Sequence, residues 1–304
     1  MKPEKSHPRL NPECIPCIIN KQIGCYPKKV SKNSAIEYMQ RILKVIADAP
    51  DTTSAPEIIH EIYAIQKELF GYIQDYSDIK RHFNKLMLDL EPEILSAIHH
   101  APDTLKAAVQ YAMMGNYIDF AAMENVDEQK LREFLDTAQS TPLDTDTFEN
   151  LKKDLSEAKT LVYLTDNCGE IVLDKLLISV IRKQYPGIDI TVIVRGAPAI
   201  NDATVEDAIQ TGLADLIPVI GNGSDIAGTC LDKLSNEARE RIDTADVLIA
   251  KGQANYETLQ KSGKNIFYIF MCKCKLFAER FGVPLYQGIL ANEKLSGKGA
   301  YDEL

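Results

Sequence analysis

A chain of 304 residues, 45% hydrophobic and 26% charged, has the composition of an ordinary folded globular protein and the length for two domains. Its formal net charge of −10 argues against non-specific nucleic-acid binding, because a phosphate backbone repels an acidic surface before specific contacts form. Small anionic substrates stay open to it, since a metal and one or two lysines reverse the field locally.

Taken from the N-terminus, Met1 to Pro8 place no apolar segment behind their charges, so no signal peptide is expected. No apolar run approaches the ~18 residues of a membrane-spanning helix. The protein is therefore expected to be cytoplasmic, with neither membrane nor nucleic acid as partner. Residues 1–150 read as an all-helical domain. Ser34-Ala35-Ile36-Glu37 has the spacing of a capping box, and Ile36, Met39, Ile42, Leu43 and Ile46 follow at helical spacing. Ser54-Ala55-Pro56-Glu57 repeats the start signal, with proline in the first turn, ahead of Ile58, Ile62, Ile65, Leu69 and Ile73. Further helices are expected over 77–90, 92–100, 103–114, 127–139 and 146–158.

After residue 158 the pattern changes. Thr160–Leu164, Ile188–Val194, Leu216–Ile220, Val247–Ala250 and Ile266–Met271 are short apolar runs with helical stretches between them. Such alternation implies βαβ units, so residues 151–304 are expected to form an α/β domain with a doubly wound, mainly parallel, Rossmann-like sheet.

Open α/β sheets bind ligands beyond the carboxyl ends of their strands. Those ends carry Thr165-Asp166-Asn167-Cys168-Gly169-Glu170, Arg195-Gly196 with Asn201-Asp202, Lys251 to Glu257, and Lys273-Cys274-Lys275. Asp166 and Asn167 beside Asp202 offer the hard oxygen donors that magnesium and manganese prefer. A metal so held polarises a phosphoryl oxygen and activates water, and lysines at neighbouring tips neutralise the remaining charge. Glycines at 169, 196 and 252 permit close backbone approach to an anion. The plainer alternative is that these residues cap helices, Asp202 above all. No Gly-x-x-x-x-Gly-Lys-Ser/Thr loop, no Gly-x-Gly-x-x-Gly after the first strand and no Gly-x-Ser-x-Gly elbow is present. All five histidines lie in the helical half, which speaks against a zinc-hydrolase or histidine-phosphatase chemistry.

The strand-tip segments, with Asp174 downstream of the first, resemble those of the damage-control phosphatases, formerly a domain-of-unknown-function family (number eighty-nine) with an ARMT-like metal-binding domain. Gly115-Asn116-Tyr117-Ile118-Asp119-Phe120 is similar to the family's Gly-Asn-x-Ile-Asp segment, and Lys273-Cys274 to its last Lys-Cys segment. The resemblance covers nearly the whole chain in order, and the Cys14-x-x-Cys17 start resembles the archaeal and plant-type branch. It implies a metal-dependent phosphatase with a helical domain beside a Rossmann-like one. The implied metal is magnesium, manganese, cobalt or nickel; the implied substrates are small phosphorylated metabolites such as sugar phosphates and phosphopantetheine-type esters. Asp166, Asn167 and Asp202 match the metal ligands. Lys251 and Glu257 match the active-site lysine segment, and Asn116 and Asp119 the polar residues of the helical domain.

On this reading Asn116, Gly169, Arg195 and Lys251 bind substrate, with Lys251 clamping the phosphate. Asp119 or Glu257 positions the attacking water, and no phospho-enzyme forms. Cys14 and Cys17 with Cys272 and Cys274 are read as structural thiols, a zinc site or, less simply, a redox pair. Two rivals remain: an S-adenosylmethionine-dependent carboxyl methyltransferase, which lacks its glycine-rich loop here, and a non-catalytic phosphometabolite-binding protein. Metal dependence separates the first from a phosphatase, and phosphate release the second.

Overall fold

The computed structural model describes residues 10–23, 25, 27, 30–119, 126–292 and 294. The chain divides into two compact units, Met1–Asp75 and Tyr76–Leu304.

The first unit holds helices α1 (Cys14–Ile23), α2 (Lys32–Asp48) and α3 (Ala55–Phe70) around Ile18, Tyr38, Ile42, Ile58, Ile62 and Ile65. The α2 start lies three residues before the expected one: Ser31 is the cap, and its hydroxyl accepts the Ser34 amide at 3.0 Å. The apolar stripe turns accordingly. Tyr38 and Ile42 are buried, whereas Ile36 and Leu43 are exposed. Tyr38 belongs inside because its hydroxyl finds Gln22 at 2.8 Å, which makes burial of a phenol inexpensive. The α3 start matches the sequence, with Glu57 accepting from the Ser54 amide and hydroxyl at 2.8 and 2.6 Å.

The second unit begins with α4 (Ser77–His100), α5 (Thr104–Gly115), α6 (Glu128–Asp136) and α7 (Thr145–Glu157). A break at Pro92 is expected from sequence, yet α4 runs through it. The helix buries Phe83, Met87, Ile94 and Ile98 on one face, and that packing outweighs one missing backbone bond. Strands β1 (Thr160–Leu164), β2 (Asp189–Val194), β3 (Val219–Gly221), β4 (Val247–Lys251), β5 (Ile266–Met271) and β6 (Gly288–Asn292) form one sheet in the order β3-β2-β1-β4-β5-β6. All neighbours are parallel except β6, which runs antiparallel to β5 and was not anticipated. The remaining helices are α8 (Glu170–Gln184), α9 (Val205–Gln210), α10 (Leu213–Leu216), α11 (Asn236–Thr244), α12 (Gly252–Leu259) and α13 (Lys275–Phe281).

Each strand alternates between two cores. Leu161 and Tyr163 of β1, with Val192, Ile249, Phe267 and Ile269, face residues of α4, α5, α7 and α8. Val162 and Leu164, with Ile193, Leu248, Tyr268 and Phe270, face α11, α12 and α13. The fold is thus an α/β sandwich with a six-stranded, mostly parallel sheet. The expected boundary at residue 150 falls inside α7, ahead of the first strand at Thr160, and the compact units divide instead at Asp75/Tyr76. Helices α4, α5 and α7 share one core with the sheet and cannot be separated from it. Among the described residues no helix is long and apolar enough to cross a membrane.

Candidate metal centre

Chain order reverses between β1 and β4, so a crevice opens beyond their carboxyl ends. After β1, Asp166 and Asn167 are fixed by backbone bonds to residues 201–203. The Ala203 amide donates to the Asp166 carbonyl at 2.7 Å, and the Cys168 amide to the Asn201 carbonyl at 2.8 Å. The Arg195 amide, at the end of β2, donates to the Ala203 carbonyl at 2.9 Å. Asn167 and Asp202 therefore face each other across a short antiparallel bridge. After β4, Gly252 takes φ = 80°, and a Cβ there would fall on the Asp166 carboxylate. Only glycine permits that approach.

Asp166 Oδ2 accepts from Asn167 Nδ2 at 2.6 Å and Asn116 Nδ2 at 3.0 Å. Arg195 Nε donates to Asp202 Oδ2 at 2.5 Å, and its Nη2 lies 3.7 Å from Asp166 Oδ1. That Nη2 is buried with no hydrogen-bond partner among the described residues. Burial holds Asp166 well above the usual carboxylate range, and the charges of Asp202, Glu170 and Asp119 add to it while Lys273 opposes. Asp202 is also raised, by burial first, against the pull of Arg195. Arg195 and Lys273 only partly offset the crowding of these desolvated carboxylates, and a divalent cation would supply the further positive charge.

The donor set fits such a cation. Two carboxylates and an amide oxygen are hard ligands, suited to magnesium or manganese. Among the described residues no three His, Cys, Asp or Glu gather into a metal cluster. A cation here would thus draw on amide, water and substrate oxygens besides Asp166 and Asp202, which is how magnesium-type sites are completed.

Behind this centre lies a second network. Lys251, wholly buried, donates to Glu170 Oε1 at 2.5 Å, Asp174 Oδ1 at 2.8 Å and the Ala112 carbonyl at 2.9 Å. Its three N–H groups are all engaged, so the expected phosphate clamp has no donor left for a phosphate. Glu170 also accepts from Asn116 and Asn167, at 2.9 and 3.1 Å, and Tyr163 donates to Asp174 at 2.7 Å. Desolvation pushes Asp174 up to about 6 against the pull of Lys251. The two neighbouring carboxylates hold Lys251 at about 12 although burial alone would lower it.

Other expected site residues divide in the same way. Gly169 sits at the turn with φ = 70°, but its amide donates to Asn84 Oδ1 at 2.6 Å and is not free for an anion. Asn116 reaches Asp166, with its Oδ1 held by the Met271 amide at 3.0 Å. Asp119 pairs with the buried Lys273 at 2.7 Å, and its charge reaches Asp166, Asp202 and Glu257. Glu257 is partly exposed to solvent yet tightly surrounded, and desolvation pushes it up to about 7 despite Arg280. Cys14 and Cys17 belong to the first unit, Cys272 and Cys274 to the second, and none of the seven cysteines is assigned to a disulfide. Burial raises Cys168 far above an ordinary thiol, which leaves it without thiolate character.

Residues 10–289 match the damage-control phosphatase ARMT1-like domain. The chain belongs to this family. A damage-control phosphatase of Archaeoglobus fulgidus is 31% identical over 284 residues, 90% of this chain and 96% of that one. An uncharacterized protein of Methanocaldococcus jannaschii is 31% identical over 294 residues, 93% and 95% of the two chains. The crystal structure of a DUF89 family protein from Pyrococcus horikoshii matches with a TM-score of 0.74 and 26% identity, covering 93% of this chain and 99% of its own.

Membership among the damage-control phosphatases supports a phosphatase role in metabolite repair. Within that frame, sequence reasoning missed the parts played by Glu170, Asp174 and Asn84. Glu170 and Asp174 stand four apart at the start of α8, a like-charge pair that is unfavourable on a helix surface. Such a pair signals a cation between its members, here Lys251. Asn84 gave no comparable sign in a helix of ordinary polarity.

Proposed function

We propose that this chain is a cytoplasmic, divalent-metal-dependent phosphatase that hydrolyses small phosphorylated metabolites, with sugar phosphates and phosphopantetheine-type esters as the substrate classes to try first. The observation that carries the reading is the convergence of Asp166, Asn167 and Asp202 beside Nη2 of Arg195, which makes no hydrogen bond among the described residues and only a 3.7 Å ion pair with Asp166. An unsatisfied buried donor costs on the order of 1–3 kcal/mol. A phosphate oxygen within its reach relieves that cost and gains a charge-assisted bond.

Asp166, Asn167 and Asp202 would hold the ion, manganese or magnesium by donor type, with cobalt and nickel added by the family resemblance. Bound there, it would supply Lewis acidity toward a phosphoryl oxygen and toward water. Arg195 binds a phosphate oxygen through Nη2 while Nε keeps Asp202 in place. Asn116 holds Asp166 at the crevice and so orients it. Asp119, fixed by Lys273, is the carboxylate whose charge reaches both Asp166 and Asp202, and it positions the water. Glu257, titrating near neutrality, exchanges the proton with solvent. Lys251 contributes from behind by holding Glu170, which in turn grips Asn116 and Asn167.

The test is phosphate release from sugar phosphates, phosphopantetheine and p-nitrophenyl phosphate, with EDTA and then with each divalent metal restored. Release that vanishes with EDTA and returns with metal supports the reading. Tight binding of these esters by folded protein, with no release under any metal, would replace it with a sensor.

A further inference from the structure

Asn84 lies wholly buried on α4, in a position where an apolar residue would pack without needing partners. Its amide is completely used. Oδ1 accepts the Gly169 amide at 2.6 Å, and Nδ2 donates to Asp207 Oδ1 and Gln210 Oε1, each at 2.9 Å. The Gly169 amide can only donate and the Asp207 carboxylate can only accept, so the orientation of the Asn84 amide is determined. Asp207 in turn closes the start of α9. Its Oδ2 accepts from the Thr204 amide and hydroxyl at 2.8 Å each, and Lys80, one turn before Asn84 on α4, pairs with it at 2.7 Å.

These bonds join the two chain segments that carry the candidate ligands. Gly169 ends the turn begun by Asp166 and Asn167; Thr204 stands two residues after Asp202 and bridges Arg195. On one side the segments are zipped together by backbone bonds between residues 166–168 and 201–203. Besides these, the amide of Asn84, anchored to a long helix, links Gly169 to Asp207 and through it to Thr204. Asn84 touches neither the crevice carboxylates nor Arg195 in any of these bonds.

We propose that Asn84 is a positioning residue that sets the placement of Asp166 and Asn167 relative to Asp202, and through it the affinity of the centre for a divalent ion. The inference rests on the metal site of the proposed function but not on its reaction. Outer groups that orient metal ligands typically matter by roughly 10- to 100-fold in affinity.

The experiment measures Mn2+ binding to the full chain by electron paramagnetic resonance of the free ion, without substrate, beside phosphate release and thermal melting. Asn84→Asp faces the Asp207 carboxylate with another and is expected to weaken Mn2+ binding by about 10- to 100-fold. The exchange N84D/D207N rebuilds the bond between 84 and 207 with donor and acceptor reversed, and Gln210 meets Asp at 84 by turning its amide so that Nε2 donates. Asp at 84 still accepts the Gly169 amide and gains Lys80 four residues before it, and Asn at 207 still accepts from Thr204. Its Mn2+ affinity is expected to return to within about threefold of wild type. Should Asn84→Asp fail to fold, Asn84→Ala removes the bonds without adding a charge and is expected to show the same weakening.

Wild-type affinity in folded Asn84→Asp or Asn84→Ala overturns the proposal, as does a folded double variant as weak as the single one. Wild-type protein that binds Mn2+ through an Asn84-dependent site yet releases no phosphate overturns the phosphatase reading and leaves this one standing. Metal-dependent release with an indifferent Asn84 does the reverse.

Discussion

The crevice and the layer directly behind it hold similar residues in opposite states. Behind, Lys251 is bonded to Glu170, Asp174 and a backbone carbonyl, and Glu170 to two asparagines; of this network, Asp174 Oδ2 alone has no hydrogen bond among the described residues. In front, Asp166 and Asp202 are crowded together, and Arg195 keeps a buried nitrogen that makes no hydrogen bond among the described residues. A satisfied buried network fixes geometry, whereas an unsatisfied one retains affinity for whatever completes it. The difference separates a scaffold lysine from a binding arginine, which residue type and strand-tip location alone do not.

The sharpest way to break this comparison is to mutate both layers and measure stability and turnover together. Lys251→Met leaves Glu170 and Asp174 buried without their cation and is expected to cost about 3–5 kcal/mol of stability. In a unit of this size that is a fall in melting temperature of roughly 10 °C, read by calorimetry. Asp202→Asn should behave otherwise. Asparagine keeps an acceptor for Arg195 Nε and removes one of the crowded charges. Phosphate release is expected to fall on the order of 100-fold or more while the melting temperature moves by only a few degrees. A stable Lys251→Met, or an active Asp202→Asn, would show that the two layers are wrongly divided. Gly252→Ala tests the seam between them. Its Cβ would meet the Asp166 carboxylate at a backbone angle disfavoured for alanine, with an expected cost of about 2 kcal/mol and a loss of turnover as Asp166 is displaced.

Strands β1 and β5 were legible to the residue because a short apolar run closed by polar turn residues has few other readings. The tip after β1 followed from it, and the tip after β2, which starts one residue later than expected, brings Asp202 opposite Asn167. Strand β6 escaped because, although α13 precedes it, it returns antiparallel to β5 and so breaks the parallel βαβ pattern that located the others. Leu216 was drawn into β3 although Leu213–Leu216 forms a turn of helix, since a four-residue apolar segment has no period of its own. The role of Lys251 was misread for a different reason. Its partners Glu170, Asp174 and Ala112 are 81, 77 and 139 residues away, and no local pattern tells a lysine that faces a ligand from one that faces two carboxylates. Asn84 was invisible on the same grounds, its partners lying 85, 123 and 126 residues along the chain.

The smallest expected effect sharpens the view of the front layer through pH. Glu257 is raised from 4.5 to about 7, by desolvation first and by the Asp119 charge, with Arg280 opposing. A carboxyl raised in the folded state binds its proton more tightly there than in the unfolded chain. Its contribution is therefore fully present below about pH 4.5 and is lost as pH rises through about 7. Glu257→Gln cannot ionise and should escape that loss. In metal-free protein its stability is expected to match wild type near pH 4.5 and to exceed it by about 1–2 kcal/mol at pH 8, the loss of attraction to Arg280 trimming the gain. Denaturant unfolding at the two pH values measures the difference. Equal curves at pH 8 would mean that Glu257 is ordinarily hydrated and forms no part of the crowded, desolvated crevice.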